Sequence, residues 1–187
     1  MDIKKICKNY NIFNYTINPD GSIDVYGNVK LTHSLEKIPL KFNKVTGDFY
    51  CSNNNLTSLD GCPNYVGGDF FCARNRLTSL DGCPNYVGGD FFCDSNKLSN
   101  LEGSPKEVGG NFWCLYNQLT RLIGCPNYVG GNFYCNDNQL TSLIGCPNYV
   151  GGRFSCLNNP LPQEILDNPK AEIIRLIRND KINYILD

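Results

Sequence analysis

Cysteine has the widest chemical repertoire of the residues in this sequence, because a thiolate can attack an electrophile, bind a metal ion or form a disulfide. The chain has 187 residues, of which 11 are cysteine and one is histidine. Ten of the cysteines recur at alternating spacings of 11 and 10 residues, and one position of this series, residue 104, is not a cysteine. They form two series, Cys51, Cys72, Cys93, Cys114, Cys135 and Cys156, and Cys62, Cys83, Cys125 and Cys146.

The spacing of these thiols argues against a reactive or metal-binding role. Metal sites favour Cys-x-x-Cys pairs or accompanying histidines, whereas here the intervals are longer and His33 is the only histidine. Equivalent cysteines on adjacent strands would lie about 4.8 Å apart with parallel Cβ vectors, which suits a disulfide poorly. Ser104 takes the place of cysteine in one unit. We therefore interpret the thiols as small core residues in a reducing compartment, and predict neither a metal site nor a cofactor.

The cysteines belong to a repeat that decides the architecture. Glycines at 47, 68, 89, 110, 131 and 152 each open a near-copy of "GDFFCxxNxLTSLxGCPNYVG", at a constant interval of 21 residues. A degenerate unit precedes them, from Gly27 to Thr46. "DFFC" alternates outward and inward as a strand does, and the Gly- and Pro-containing return path predicts turns and extended chain. The fold class predicted is a mostly-β repeat solenoid of α/β type, with seven strand starts and one short parallel strand per turn.

The unit matches the pattern L-x-x-L-x-L-x-x-N-x-L. In the unit beginning at Gly68, Phe70 and Cys72 take the second and third apolar positions, and Asn75 and Leu77 form the "N-x-L" step. Over residues 27–161 the chain resembles the leucine-rich repeat family, with the short units of bacterial effectors and a wording similar to repeat proteins of tailed phages and large DNA viruses. The resemblance implies an arc whose strands line the concave side. It implies no particular ligand, because this fold serves many unrelated partners.

The sequence divides into a solenoid and two caps. Residues 1–26 are predicted to form an N-terminal cap of a helix and a hairpin, with the hairpin turn at 18–22. Residues 27–161 are the solenoid of seven units, the first degenerate and the last partial. Residues 162–187 are predicted to form a helical C-terminal cap. Inside the solenoid, one asparagine per turn is expected to satisfy backbone groups at the bend. This series is Asn54, Asn75, Asn96, Asn117, Asn138 and Asn159.

The outward positions of the strands are the candidate binding residues. The central column is called the aromatic strip, and consists of Tyr50, Phe71, Phe92, Trp113 and Tyr134. Polar or charged residues flank it on one side, namely Asp69, Asp90, Asn111, Asn132 and Arg153, and Asp94 and Leu115 flank it on the other. One interpretation is that the rings only stabilise neighbouring strands. The other is a binding surface with an apolar centre and a polar rim.

A second outward column lies on the return path, where Tyr65, Tyr86, Tyr128 and Tyr149 recur and Glu107 replaces tyrosine in one unit. The occurrence of glutamate at this position indicates that the column is partly solvated. The convex side is therefore an alternative recognition surface.

These observations favour a non-enzymatic module that binds a protein partner through the aromatic strip. A glycan or small-ligand binder on the same strip, and a structural component of an assembly such as a virion, remain alternatives. We predict no catalytic residue, because the paired glycines do not lead from a strand into a helix and a single histidine offers no Cys-His pair.

Charge and hydropathy exclude further classes of partner. The formal net charge is −1, without the dense basic stripe that nucleic-acid binding requires. No stretch approaches the length of a membrane span, and no apolar region follows the first lysines as in a secretory signal. We expect a cytoplasmic protein, in the host cytoplasm if it is viral, that is a monomer or a weak homo-oligomer and binds neither nucleic acid nor membrane.

Overall fold

The 21-residue unit folds as one turn of a parallel β-solenoid. The computed structural model describes residues 2–32 and 34–186, with side chains described as far as residue 179, so His33 lies outside the described residues. In chain order the elements are α1 Ile3–Asn9, β1 Tyr15–Ile17, β2 Ile23–Val25, β3 Val29–Lys30, β4 Phe42–Val45, β5 Phe49–Tyr50, β6 Tyr65–Val66, β7 Phe70–Phe71, β8 Tyr86–Val87, β9 Phe91–Phe92, β10 Glu107–Val108, β11 Phe112–Trp113, β12 Tyr128–Val129, β13 Phe133–Tyr134, β14 Tyr149–Val150, β15 Phe154–Ser155, α2 Gln163–Asp167 and α3 Pro169–Leu186.

The predicted sheet is seven-stranded, and the solenoid prediction is confirmed. Its order is β3-β5-β7-β9-β11-β13-β15, so each turn adds one strand in parallel beside the preceding one. The register is constant, since Phe70 pairs with Phe49 on one side and with Phe91 on the other. Because no residue is inserted or deleted between the units that start at Gly47 and Gly152, equivalent residues of all these turns fall in columns.

Each full turn also contains a second short strand. It lies in the return path, for which the sequence predicts only turns and extended chain. These strands form an eight-stranded sheet, β1-β2-β4-β6-β8-β10-β12-β14, in which every pair except β1 with β2 is parallel. In the Tyr-Val step the valine points into the core and the tyrosine outward, as in β6, where Val66 is fully buried and Tyr65 is exposed. Two residues thus suffice for a strand when the turns above and below supply its partners.

The Gly-Gly step between the two sheets is required by the close stacking of turns. A Cβ atom built on Gly88 would overlap the carbonyl oxygen of Gly67, and one on Gly89 would overlap Oδ1 of Asp69. These glycines do not adopt positive φ angles, so the constraint is contact and not backbone conformation. Glycine at this step lets consecutive turns approach to the spacing of hydrogen-bonded strands.

Replacing Gly109 with alanine is therefore expected to destabilise the fold by about 3 kcal/mol, the upper part of the range for overpacking. The new Cβ would overlap the carbonyl oxygen of Gly88 and lie 3.0 Å from its carbonyl carbon, so the backbone of one turn must move. Thr46 holds the same column in the first unit and already carries a Cβ, so Thr46→Ala is the matched control, with an expected change below about 0.5 kcal/mol. Chemical denaturation measures both; equal stabilities for the two variants would contradict the steric argument.

The core is a column of stacked rings with thiols beside it. Phe49, Phe70, Phe91, Phe112 and Phe133 are fully buried. Successive phenylalanine rings, continuing to Phe154, lie 5.1–5.6 Å apart between centroids and within 14° of parallel. Cys72 and Leu77, which the repeat pattern predicts to point inward, have no exposed surface, and the same holds for Leu80 and Val87 on the return path. A buried phenylalanine contributes about 1.5–3 kcal/mol relative to an exposed one, so this column is a main source of stability.

The predicted asparagine series is confirmed as a buried hydrogen-bonding ladder. The side-chain amide of Asn75 donates to the carbonyl oxygens of Cys51 and Cys72, both at 3.0 Å. Its Oδ1 accepts the backbone N–H of Leu56 from the preceding turn at 3.0 Å. The same contacts recur at Asn96, Asn117, Asn138 and Asn159. Each asparagine therefore joins its own turn to the one before it.

The two ends are covered as predicted by a helix with a hairpin and by helices. In α1, Cys7 is buried, and Ile3 and Ile6 pack against the core, as does Tyr10 directly after the helix. The hairpin forms between β1 and β2, and the chain after its turn, which we predict as one strand over 23–31, is divided into two strands. Gly27, at φ 142°, separates β2 from β3, which belong to different sheets. At the other end α2 and α3 follow the last turn, and Ile173 and Leu176 pack against the core.

Candidate functional site

The cysteines lie where they cannot easily become nucleophiles. All eleven are free, and the strand series is buried beside the phenylalanine column. Burial raises the pKa values of four of these thiols well above the ordinary value for cysteine, namely those of Cys72, Cys93, Cys114 and Cys135. The half-buried Cys83 donates its S–H to the carbonyl oxygen of Gly103 at 2.9 Å. Among the described residues, no group of three or more His, Cys, Asp or Glu side chains is arranged to hold a metal ion.

Thiol reactivity should therefore depend on unfolding. At about pH 8 a thiol-blocking reagent is expected to label few cysteines of the native protein, because the buried thiols stay protonated and shielded. In denaturant all 11 should react. Mass spectrometry of the intact chain before and after unfolding counts the labels. Rapid native labelling of most thiols would contradict a packing role for them.

The aromatic strip is a stack of rings on the outer face of the seven-stranded sheet. Its ring centroids are separated by 4.4 Å from Tyr50 to Phe71, 4.6 Å from Phe71 to Phe92, 5.8 Å from Phe92 to Trp113 and 4.2 Å from Trp113 to Tyr134. The first three pairs are within 15° of parallel and the last is tilted by 30°. All five side chains are half-buried, each covered in part by its neighbours. The strip is thus continuous, and stacking between strands accounts for part of its stability.

The polar column beside the strip has a structural role that the sequence did not indicate. Oδ1 of Asp69 accepts the backbone N–H of Asp90 at 2.7 Å, and Oδ1 of Asp90 accepts that of Asn111 at 2.7 Å. Asn111 and Asn132 continue the series, accepting the N–H groups of Asn132 and Arg153. These side chains therefore connect one turn to the next. Only the side-chain polar atoms that are not used in these contacts can form hydrogen bonds with a ligand.

The remaining predicted site residues differ in position. Asp94 and Leu115 are half-buried on the opposite side of the strip, and a carboxylate oxygen of Asp94 accepts a hydrogen bond from the Ser95 hydroxyl at 3.2 Å. Arg153 is exposed in the last turn, where it lines a cavity of about 650 Å³ between β15 and the C-terminal helices. The structure thus groups Asp94 and Leu115 with the middle of the strip, and places Arg153 at its end.

Tyr116 is a candidate residue that the sequence analysis missed. It follows Leu115, is 60 % exposed, and has a left-handed φ of 51°. The equivalent positions are also left-handed, and most carry residues that tolerate this conformation, namely Asn53, Ser95, Asp137 and Asn158. A bulky tyrosine there costs about 1–2 kcal/mol relative to glycine. The signal in the sequence is one aromatic residue in a column that otherwise carries Asn, Arg, Ser and Asp.

Trp113 carries a second local cost in the same turn. Its indole Nε1 is buried and has no hydrogen-bond partner among the described residues. A buried donor without a partner costs about 1–3 kcal/mol, and phenylalanine or tyrosine, present at this position in other turns, would avoid that cost. The turn starting at Gly110 therefore contains two side chains that oppose stability, three residues apart.

Comparisons of the chain with protein-family models, with curated proteins and with solved structures gave no match. The class of the protein is thus defined by its own fold, a parallel β-solenoid of 21-residue turns. Within the described part of the chain, no helix is both long and apolar enough to cross a membrane.

Proposed function

We propose that the protein is a non-enzymatic binding module that captures a protein partner on the aromatic strip, centred on Phe92, Trp113 and Tyr134. The observation that carries this proposal is the coincidence of two stability costs in one turn. The buried indole N–H of Trp113 and the left-handed Tyr116 both oppose folding; Trp113 belongs to the strip, and Tyr116 follows it by three residues. Departures from local preference concentrate at functional sites, where they are retained for a role other than stability.

The chemistry around this centre suits a protein interface. Trp113, Leu115 and Tyr116 provide an apolar centre, and Tyr116 is well exposed. Asp94 and Asn132, on opposite sides of the strip, provide polar atoms at the rim. Tryptophan and tyrosine are the residues most enriched among those that dominate binding energy, whereas surrounding polar residues contribute mainly by excluding water.

The proposal predicts a large loss of binding without a loss of the fold. The partner is sought by affinity capture and mass spectrometry with the intact chain, and its affinity for variants is then measured. Replacing Phe92, Trp113 or Tyr134 singly with serine should weaken binding about 30-fold or more, the effect of removing an anchor worth about 2 kcal/mol. A partner bound equally well by all three variants would place the site elsewhere.

A matched pair of substitutions separates binding from stability. Tyr116→Asn and Arg74→Asn both remove a bulky residue from a left-handed position, since Arg74 has a φ of 54°. Both should stabilise the fold by about 0.5–1 kcal/mol. Only Tyr116→Asn should weaken binding. Equal affinities for the two variants would exclude Tyr116 from the interface.

A glycan or small ligand is the second candidate, favoured by stacked rings bordered by the carboxylate of Asp69, whose second oxygen has no hydrogen bond within the described chain. Sugar rings stack on such platforms and hydrogen-bond to such groups. A glycan array with the wild-type protein and Trp113→Ser distinguishes this function.

Light scattering tests the third candidate, a component of a larger assembly in which the strip binds another copy.

The resemblance to leucine-rich repeats, including those of phages and large DNA viruses, belongs to the same proposal. It is supported by the buried N-x-L step, in which Asn75 and Leu77 are both inside. A cytoplasmic setting is supported by the eleven free thiols, which persist in a reducing compartment.

A further inference from the structure

The eight-stranded sheet carries a second column of side chains on its outer face. The strand register places them in the order Lys44, Tyr65, Tyr86, Glu107, Tyr128 and Tyr149. The four tyrosines are 38–52 % exposed, and Glu107 is exposed as well. The column is therefore accessible to a ligand over its whole length.

The tyrosines form two stacked pairs with one ring missing between them. Tyr65 and Tyr86 lie 5.2 Å apart between centroids at 11°, and Tyr128 and Tyr149 lie 4.9 Å apart at 5°. Glu107 occupies the register position between the pairs. Adjacent strands are about 4.8 Å apart, so Tyr86 and Tyr128 are separated by about 10 Å. A planar group lying between the two rings, beyond the Glu107 side chain, would therefore be about 5 Å from each of them.

The charges of the column select a cation for this space. At the start of the column, Nζ of Lys44 lies 5.2 Å from the centroid of Tyr65, so a tyrosine of this series already has a cation on its face. In the gap, the carboxylate of Glu107 adds a negative charge, and within the described chain it forms no ion pair, with neighbouring Lys106 or any other residue. Cations within about 6 Å of an aromatic centroid are attracted to the ring face.

We propose that Tyr86, Glu107 and Tyr128 form a binding slot for the guanidinium group of an arginine on a partner peptide. A guanidinium is planar, so it can take the place of the missing ring and contact both tyrosine faces at once. Its parallel N–H groups can donate together to the two carboxylate oxygens of Glu107. An ammonium group has neither property. The slot lies on the other sheet from the aromatic strip, so its occupancy is independent of the function proposed above.

The test uses two small probes of the same shape, of which only one carries a positive charge. N-acetyl-arginine amide is titrated into the isotope-labelled protein, and the ring resonances of Tyr86 and Tyr128 are followed by NMR; the neutral isostere N-acetyl-citrulline amide is the control probe. We expect saturable shifts with a Kd on the order of millimolar for the arginine probe and at least about tenfold weaker binding for citrulline. Equal binding of the two probes, or no shift at either ring, would overturn the proposal.

Variants locate the binding site. Glu107→Gln should weaken arginine binding about tenfold or more, and Glu107→Tyr, which restores the ring that other turns carry, should abolish it. Glu102→Gln removes another exposed carboxylate of the same turn and should leave binding unchanged. The Glu107→Gln variant keeps the shape of the side chain, so its result stands even if the tyrosine variant folds poorly. Full binding by Glu107→Gln would also overturn the proposal.

Discussion

Above about pH 9 the protein is expected to lose stability steeply, by at least about 5 kcal/mol per pH unit. Four core thiols, those of Cys72, Cys93, Cys114 and Cys135, are fully buried and have pKa values raised well above the ordinary value by desolvation. In the unfolded chain the same thiols titrate near about pH 8.5. Between these limits the unfolded state releases protons that the folded state keeps.

The sign follows from that difference. Well below about pH 8.5 both states are protonated and the thiols add no pH dependence. As the pH rises, the unfolded chain binds fewer protons than the folded one, so each thiol lowers the free energy of unfolding by about 1.4 kcal/mol per pH unit. Four thiols together remove the stability of a typical domain within about two pH units. Alkaline unfolding should therefore be sharp and cooperative.

Circular dichroism at 25 °C between about pH 7 and 11, under reducing conditions, measures the transition. The control is Cys93→Ala, which should reduce the slope of stability against pH by about 1.4 kcal/mol per unit whatever its effect on absolute stability. All other titratable groups are common to the wild-type protein and the variant. Stability that is flat to pH 10.5, or an unchanged slope in Cys93→Ala, would show that these thiols are not enclosed as the structure describes.

Replacing Asn117 with alanine is expected to destabilise the fold by about 4 kcal/mol. The side-chain amide donates to the carbonyl oxygens of Cys93 at 3.1 Å and Cys114 at 3.2 Å, with a third carbonyl, of Leu115, at 3.1 Å. Oδ1 accepts the N–H of Leu98 at 3.1 Å. The N–H of Leu98 would be left buried without a partner, at a cost of about 1–3 kcal/mol. The three carbonyl oxygens would keep one partner each, the amides of Asn96 and Asn138 and the N–H of Ser95, and each hydrogen bond lost to them removes about 0.5–1.5 kcal/mol.

Urea denaturation compares Asn117→Ala with Gln118→Ala, which truncates the exposed neighbouring side chain and should change stability by less than about 0.5 kcal/mol. Asn117→Asp keeps the shape but loses the donors, and brings a carboxylate against carbonyl oxygens, so it should destabilise at least as much. A loss below about 1 kcal/mol for Asn117→Ala would mean that water reaches these groups, and that the ladder is not a main link between turns.

The seven strand starts and the inward residues could be predicted because the repeat is free of insertions. Phe70, Cys72 and Leu77 recur at a fixed interval in the six units from Gly47 onward, and only a stack of equivalent turns buries all of them. The second strand of each turn could not be predicted in this way. A step such as Tyr65-Val66, between Pro-Asn and Gly-Gly, looks like part of a turn, and it becomes a strand only through its partners above and below.

The candidate site was predictable in its rings but not in its polar residues. Alternation within the strand places Phe92 and Trp113 outward whatever the details of the turn. Asp69 and Asp90 looked like rim residues, yet each accepts a backbone N–H of the next turn, a contact that depends on the distance between turns. The exposed Tyr116 was missed because its left-handed conformation follows from the bend after the strand.

The uniform register of the inner turns has a consequence for the gene. Each inner unit presents the same carbonyl oxygens and N–H groups to the unit after it as it receives from the unit before. Duplication or excision of one whole copy of the coding repeat would leave every junction chemically unchanged and both caps on their original neighbours. The number of rings available to a partner can thus increase or decrease by one at a time, without any change to the residues of the core.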